Sequence, residues 1–379
     1  MDNLTHSLVG LTASKAGLER LSPATTACCI LAANAPDVDL ICGLFGDRWT
    51  ALHYHRGITH SILGTLLLAL LIPTFFWLGD LIISDWRQRA RVVRFRGLLL
   101  ASLIVSATHP LMDWTNNYGV RPLLPWSGRW FYGDLVFIVD PFIWMLLGAS
   151  AFLLTSGTRR QLGIWSFLGT VFTIVVVFGA IAGSRLDHPL ILVLVWMTVL
   201  ISIVVIRKLG YPKNGNRKLA LTGLALVVAY WGGLAALHAT ALNRARGIGT
   251  ILTANNRETI TQTAAMPTLA NPNRWLGVVE SDRSIYRFEF FLIDSSGHAP
   301  PVARFTKPEG TEARVIASAK QDRRVQILLE FARFPFGRMV DHDCLTETLV
   351  QFADLRYTEP GRTRGNFSIE LPVECPPQP

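Results

Sequence analysis

The sequence predicts an α-helical polytopic membrane domain, with six long spans after a short N-terminal helical hairpin, followed by a C-terminal β-rich extracytoplasmic domain. Three observations predict it. Half of the 379 residues are apolar and only 17% are charged, with a mean hydropathy of +0.34, whereas a soluble domain carries about 25% charged residues. The charge deficit is local: residues 1–241 hold 19 Lys and Arg and 11 Asp and Glu, against 17 and 16 in residues 242–379. Apolar runs near the roughly 20 residues that a helix needs to cross a bilayer recur through the first part and stop near residue 242. The expected division is therefore a membrane domain over residues 1–242 and a β-rich domain over 243–379.

The first elements are two short apolar segments, Leu4–Leu18 and Ala24–Ala35, joined by Glu19-Arg20-Leu21-Ser22-Pro23. At 1.5 Å per residue each reaches about 20 Å, short of a full crossing. They read as a tilted or half-buried helical hairpin, the other reading being a pair of interfacial helices. The start of the chain lacks a basic n-region and a clear cleavage site, so no signal peptide is expected. Six longer runs follow: Ser61–Ile83, Gly97–Met112, Leu135–Thr155, Leu162–Gly183, Pro189–Ile206 and Leu219–Leu242. Their low internal polarity argues against buried soluble helices, and an open sheet edge cannot be satisfied in lipid.

The loops set the expected orientation. The 85–96 connection carries five Arg, the next loop but one holds Arg159 and Arg160, and 207–218 holds five basic residues. The intervening loops hold only Arg121 and Arg129 in one and Arg185 in the other. Twelve of the nineteen basic residues thus fall on one side, which the positive-inside rule makes cytoplasmic. The chain after Leu242 is then extracytoplasmic. The same rule explains the net charge of +9 better than a nucleic-acid partner does. No nucleic-acid motif accompanies the charge, and no nucleic-acid binding is expected.

The tail reads mainly as strand. Ser284–Ile293, Val325–Phe334 and Leu349–Tyr357 partly alternate, with Gly, Pro, Asn and Asp between them. Cys28, Cys29 and Cys42 lie in or beside the N-terminal apolar segments, where small buried residues are the ordinary reading. Cys344 and Cys375 share the tail; an extracytoplasmic compartment permits a disulfide between them, and the sequence leaves that pairing open.

Ionisable groups at membrane depth are costly and usually functional. Five of the nine His fall within residues 1–109, and ten of the eleven acidic residues in 1–241 are Asp. Each group also has an ordinary reading. His6 at the start of the first helix suits an interface, and Asp37 and Asp39 in Pro-Asp-Val-Asp suit a turn that bonds nearby amides. His55 and His60 flank Arg56-Gly57 at the start of the first long span, as a metal pair or a cap. His109 and Asp113 stand four apart on one helix face, which suits two ligands to one ion. Asp134 and Asp140 flank the third span, where Asp140-Pro141 also suits a helix start. The alternating topology brings His55, His60, His109, Asp113, Asp134 and Asp140 to the external membrane face. An outward-opening hairpin adds His6, Asp37 and Asp39.

Imidazole and carboxylate without thiolate suit zinc, manganese or iron, while carboxylates alone suit magnesium. The candidates exceed the three or four ligands of one catalytic zinc. The excess points to two or three ions, or to partners that hold the His rings.

Met1-Asp-Asn-Leu-Thr-His6-Ser, Ala35-Pro-Asp37-Val-Asp39, His55-Arg56-Gly-Ile-Thr-His60-Ser61 and His109-Pro-Leu-Met-Asp113, with Asn117-Tyr-Gly119 after it, together resemble the YdjM-type family of inner-membrane metal-dependent hydrolases. Pro125-Trp126 and Ile138-Val-Asp140-Pro141 resemble its pattern as well, and the resemblance covers roughly residues 1–145. The family is itself similar to zinc-dependent phospholipase C and P1-type nucleases, which implies a phosphoester substrate and a multi-pass protein of the bacterial inner membrane.

The expected function is metal-dependent hydrolysis at the outer membrane–water boundary, with a small-molecule or lipid-linked substrate and membrane lipids as partners. His6, Asp37, Asp39, His55, His60, His109, Asp113 and Asp140 are the expected metal ligands or their support. The expected metal is zinc, or else manganese, as two or three ions. Arg56 is the expected catalytic clamp for a phosphate or another anion, or else an interfacial Arg at a headgroup. A non-catalytic metal-binding scaffold is the alternative. A transporter fits less well, because the last three spans contain almost no ionisable residues.

Overall fold

The computed structural model describes residues 1–182, 189–211, 217–293, 299–341, 346–361 and 367–374. The chain divides into two compact units. The first comprises Met1–Val38, Arg56–Ala236 and Pro267–Pro272, and the second Asp39–His55, Leu237–Met266 and Asn273–Pro379. This differs from a single cut near residue 242, because the stretch from Asp39 to His55 groups with the C-terminal part. Arg185, Cys344 and Cys375 lie outside the described residues, and so does the disulfide that the sequence left open.

The first unit opens on α1 (Asn3–Lys15) and α2 (Thr25–Asn34). Asp2 caps α1, its carboxylate accepting from the Thr5 amide at 3.0 Å. Gly10 sits where α1 meets α2: a Cβ there would lie 2.7 Å from the Cys29 carbonyl oxygen, so only glycine permits the approach. The chain continues from α2 as a 3₁₀ stretch, Ala35–Leu44, and Thr25–Leu44 as a whole is long and apolar enough to cross a membrane. The second hairpin arm is thus longer than its sequence suggests, because Pro36 tightens the helix without ending it.

After α3 (Arg48–Tyr54), which falls in the second unit, come α4 (Ile62–Trp86) and α5 (Phe95–Trp114). Their Arg-rich connection is pinned by buried Asp80, which accepts from Arg89 at 2.7 Å and from the Val92 and Val93 amides at 2.9 and 3.0 Å. The third predicted span, Leu135–Thr155, is shorter than expected: α6 runs over Pro141–Thr155. Asp140 caps it and Pro141 fills its first position, where a missing N–H costs nothing. The Leu135 and Val136 amides bond instead to the Thr115 carbonyl.

The later helices are α7 (Arg159–Ala182), α8 (Pro189–Lys208) and α9 (Arg217–Asn256). Among the described residues, six helical stretches are long and apolar enough to cross a membrane, and α6 is a shorter apolar helix. Leu8, Val9, Met112, Ile143, Leu147 and Val227 form the core of this unit. Phe75, Phe178 and Leu190 are exposed, as apolar side chains facing lipid must be.

In the second unit, β1 (Ile260–Thr268), β2 (Asn271–Ser281), β3 (Ser284–Phe291) and β4 (Val302–Thr306) form one sheet in sequence order. The helices α10 (Gly310–Ala319) and α11 (Arg323–Phe331) follow. A second antiparallel sheet then contains β5 (Pro335–Met339), β6 (Glu347–Asp354) and β7 (Ser368–Glu374). Val325–Phe334, read as strand, is mostly α11. Its apolar residues Val325, Ile327, Leu328 and Phe331 all face inward at helical spacing, and Asp322 caps the first turn. The tail is β-rich, as the alternation of Ser284–Ile293 and Leu349–Tyr357 requires, with two helices between the sheets.

Candidate metal centre

Two of the candidate ligands come from α5. His109 and Asp113 lie one turn apart, so both project from one face of the helix. The His109 Nδ1 atom is 2.6 Å from the Ala33 carbonyl oxygen. A carbonyl only accepts, so Nδ1 carries the proton and donates, and the neutral ring keeps its lone pair on Nε2, aimed inward. His60 ends the one-turn helix Ile58–His60 just before α4. That turn closes tightly because residue 64 is glycine: a Cβ there would lie 1.8 Å from the Ile58 carbonyl oxygen. Asp37 enters from the 3₁₀ continuation of α2.

These four residues converge. Asp37, His60, His109 and Asp113 each offer one donor atom, all within 4.8 Å of one another, and together they could hold a metal ion. His60 Nε2 lies 3.3 Å from Asp37 Oδ1, 3.3 Å from Asp113 Oδ2 and 3.1 Å from His109 Nε2. His109 Nε2 lies 3.4 Å from Asp113 Oδ2 and 3.6 Å from Asp37 Oδ1. All four are buried, His60 and His109 completely. His6 stacks on His109 with ring centroids 3.7 Å apart, and its Nε2 is 3.5 Å from Asp113 Oδ1. Neither ring nitrogen of His6 has a hydrogen-bond partner among the described residues. Burying such polar atoms unpaired is costly, so His6 belongs to the same constellation.

Arg56 stands behind this group. Its guanidinium donates to Asp113 Oδ1 at 3.1 Å, to the Asp113 carbonyl at 3.2 Å, and to Asn116 Oδ1 and the Gly119 carbonyl at 3.0 Å each. It also stacks over Tyr118. The residue is buried and its backbone adopts a left-handed φ of 55°, a strained conformation for a residue with a Cβ. Arg56 was expected to clamp an anion. Its two terminal nitrogens donate to Asp113 and the loop after it, an arrangement that supports that carboxylate.

Asp39 and His55 belong to the second unit and pair with each other, Oδ1 to Nδ1, at 3.1 Å. His53 of the same unit lies 3.7 Å from Glu330. Among the described residues, Asp140 does not join the group of Asp37, His60, His109 and Asp113. One oxygen accepts from the Phe142 and Ile143 amides at 2.8 and 3.3 Å, and the other accepts from the Tyr230 hydroxyl at 2.9 Å. It acts as a helix cap, the ordinary reading of Asp-Pro. Asp134 is buried with a left-handed φ of 54°.

Sequence reading missed three contributors. The Met1 amino group contacts Asp113 Oδ1. Asn116 holds Arg56 from just beyond the end of α5, where no helical spacing points to it. Trp144 donates to Thr5 Oγ1 at 3.0 Å and to the Asp2 carboxylate at 3.2 Å, which fixes the start of α1 and with it His6. No spacing rule connects Trp144 to residues so distant in the chain.

No solved structure matches this chain. Among curated proteins, the uncharacterized protein YfhP of Bacillus subtilis (strain 168) is 28% identical over 155 residues, which cover 38% of this chain and 43% of that protein. The chain thus spans less than half the length of the curated relative it matches. The broader match is to the YdjM inner membrane protein family over residues 1–210, more than half of the chain and the whole of the converging His and Asp group. By that match, the chain belongs to the YdjM inner membrane protein family.

Proposed function

We propose that this membrane protein is a metal-dependent hydrolase acting on a phosphoester or lipid-linked substrate at the outer face of the inner membrane. The observation that carries the reading is the buried convergence of Asp37, His60, His109 and Asp113 beside His6, whose ring nitrogens have no hydrogen-bond partner among the described residues. For metal–ligand bonds of about 2.1 Å, neighbouring donors stand roughly 3.0 Å apart in an octahedron and 3.4 Å in a tetrahedron. The His and Asp donors here are separated by 3.3 to 3.6 Å, with 3.1 Å between the two imidazole nitrogens. Two imidazoles and two carboxylates suit zinc or manganese.

When bound, such an ion lowers the pKa of a bound water towards ~7 and polarises the oxygen under attack. The protein's own residues prepare that position. Ala33 sets the tautomer of His109, Arg56 and the Met1 amino group hold one oxygen of Asp113, and the other oxygen is left facing the two His rings. The ring of His6 covers one side of His109 and offers a further nitrogen. Orientation is part of the proposal: the Arg-rich connections lie in the cytoplasm, which sets the second unit outside it.

A specific observation favours a second reading. All four donors are buried, and a closed four-donor site is the pattern of structural rather than catalytic metal. On that reading the protein binds metal without turnover.

One experiment separates the two. Elemental analysis of detergent-purified protein, beside His60→Ala and His109→Ala, is combined with an assay of phosphoester and phospholipid hydrolysis. The proposal expects at least one zinc or manganese per chain, lost in both variants together with activity. Metal lost with no hydrolysis in the wild type supports the scaffold. Hydrolysis that survives loss of the metal overturns the mechanism.

A further inference from the structure

The first unit contains a cavity of about 900 Å³ between α1, α6, α7 and α8, on the side of α1 that carries Leu4, Leu8 and Leu11. It is a different place from the metal centre, and its chemistry differs along its length. One end is closed by Trp144, Met145 and Trp196, part of a buried cluster that also contains Val176 and Leu192. At the other end stand Gln161, Arg207 and Lys208. Arg207 is held there by a bond to the Ser156 carbonyl. Among the described residues, none that lines the cavity is acidic. At its rim Leu162 and Ile174 of α7 are exposed, so it opens on the outer surface of the helices, where lipid lies in a membrane.

The dimensions add a second argument. From Trp196 to Arg207 along α8 is eleven residues, or about 16 Å at 1.5 Å per residue, close to half of the ~30 Å hydrocarbon core. An apolar groove one leaflet deep, closed near the bilayer centre and ending in an Arg-Lys pair at the membrane surface, has the length of an acyl chain and the charge to receive a phosphate. Basic pockets between membrane helices favour anionic headgroups for this reason.

We propose that this groove binds an anionic phospholipid, with its phosphate at Arg207 and Lys208 and an acyl chain along α6, α7 and α8 towards Trp144. The site is independent of the metal centre and of any hydrolysis. The lipid is a resident partner that fills the space between α6 and the α7–α8 pair.

The test is native mass spectrometry of the full detergent-purified chain titrated with dioleoyl-phosphatidylglycerol, dioleoyl-phosphatidylcholine or glycerol 3-phosphate. The wild type is expected to bind phosphatidylglycerol about thirtyfold more tightly than phosphatidylcholine, as two basic contacts imply, and to show no saturable binding of glycerol 3-phosphate. R207Q/K208Q is expected to remove the preference. Gly148→Leu and Gly169→Leu fill the groove from positions where a Cβ meets nothing within 4 Å, so both should fold normally and lose binding of both lipids. Equal binding of the two lipids by the wild type overturns the proposal. So does phosphatidylglycerol binding that survives in folded Gly169→Leu, or glycerol 3-phosphate binding as tightly as the lipid. Metal content should not change in any of these variants, which keeps this test separate from that of the hydrolase.

Discussion

His109 shows how one side chain is committed by its surroundings. One ring nitrogen is used up by a carbonyl, so the other is available only to the centre it faces. Arg56 works at one remove, and its planar fork is what the site needs. Arg56→Lys keeps the charge but cannot hold Asp113, Asn116 and Gly119 together. It is expected to weaken metal binding by about 10- to 100-fold, the usual effect of losing a partner that orients a ligand. Competition against a chromophoric chelator measures this, and unchanged affinity would remove Arg56 from the site. Asp140 offers the opposite case. Asp140→Ala should cost about 1–2 kcal/mol through loss of the α6 cap, seen as a lower unfolding temperature, with metal content intact. Loss of metal in that variant would return Asp140 to the ligand set.

Among elements, the α1–α2 contact matters most for the centre, because His6 and Asp37 approach it from those two stretches. Gly10→Val would force a side chain against the Cys29 backbone, an overpacking that costs about 1–3 kcal/mol. Metal content and thermal stability should fall together, whereas Gly169→Leu, where a Cβ meets nothing within 4 Å, should leave metal content unchanged. In the second unit, Glu258 follows the end of α9 and joins it to the first sheet. Its carboxylate accepts from Ser281 at 2.6 Å, from Ser284 at 2.9 Å, from Tyr286 at 3.0 Å and from Arg304 at 2.5 Å. Burial alone would raise its pKa, but these donors together hold it below the ordinary glutamate value. A depressed carboxylate stabilises the fold above its unfolded pKa of about 4.3, and that contribution is lost as the pH falls through the folded value. Protection factors of the β2 and β3 amides, corrected for intrinsic exchange, should therefore fall below about pH 4 in the wild type, and Glu258→Gln should be less stable at neutral pH with a flatter acid response. An identical pH profile for the two proteins would show that Glu258 makes no such contribution.

For the whole molecule, the distribution of basic residues over the connections predicts an orientation. The Arg-rich connections and the second unit should face opposite sides of the membrane. Single cysteines at Gln88 and Glu330, both exposed, placed in a background with all five native Cys replaced by serine, test this in intact spheroplasts. An impermeant maleimide should label Glu330→Cys and spare Gln88→Cys, and the reverse pattern would invert the topology.

Composition and order were enough to read a multi-pass helical region, a β-rich tail, and the His and Asp residues worth attention. Apolar runs and charge asymmetry are properties of the local chain in lipid and water, and need no tertiary contact to take effect. The same local reasoning misjudged Val325–Phe334, whose short apolar run fits either period until packing chooses the helical one. It also extended the third span back to Leu135, although the amides of Leu135 and Val136 find their partner in Thr115. Which candidates meet was decided only by the fold. Four candidate ligands come together from the 3₁₀ end of α2, the turn before α4 and one face of α5, while Asp140 caps a helix and Arg56 turns towards Asp113. Those choices depend on distances between segments far apart in the chain, set by close approaches such as Gly10 against Cys29, and no spacing within the chain encodes them.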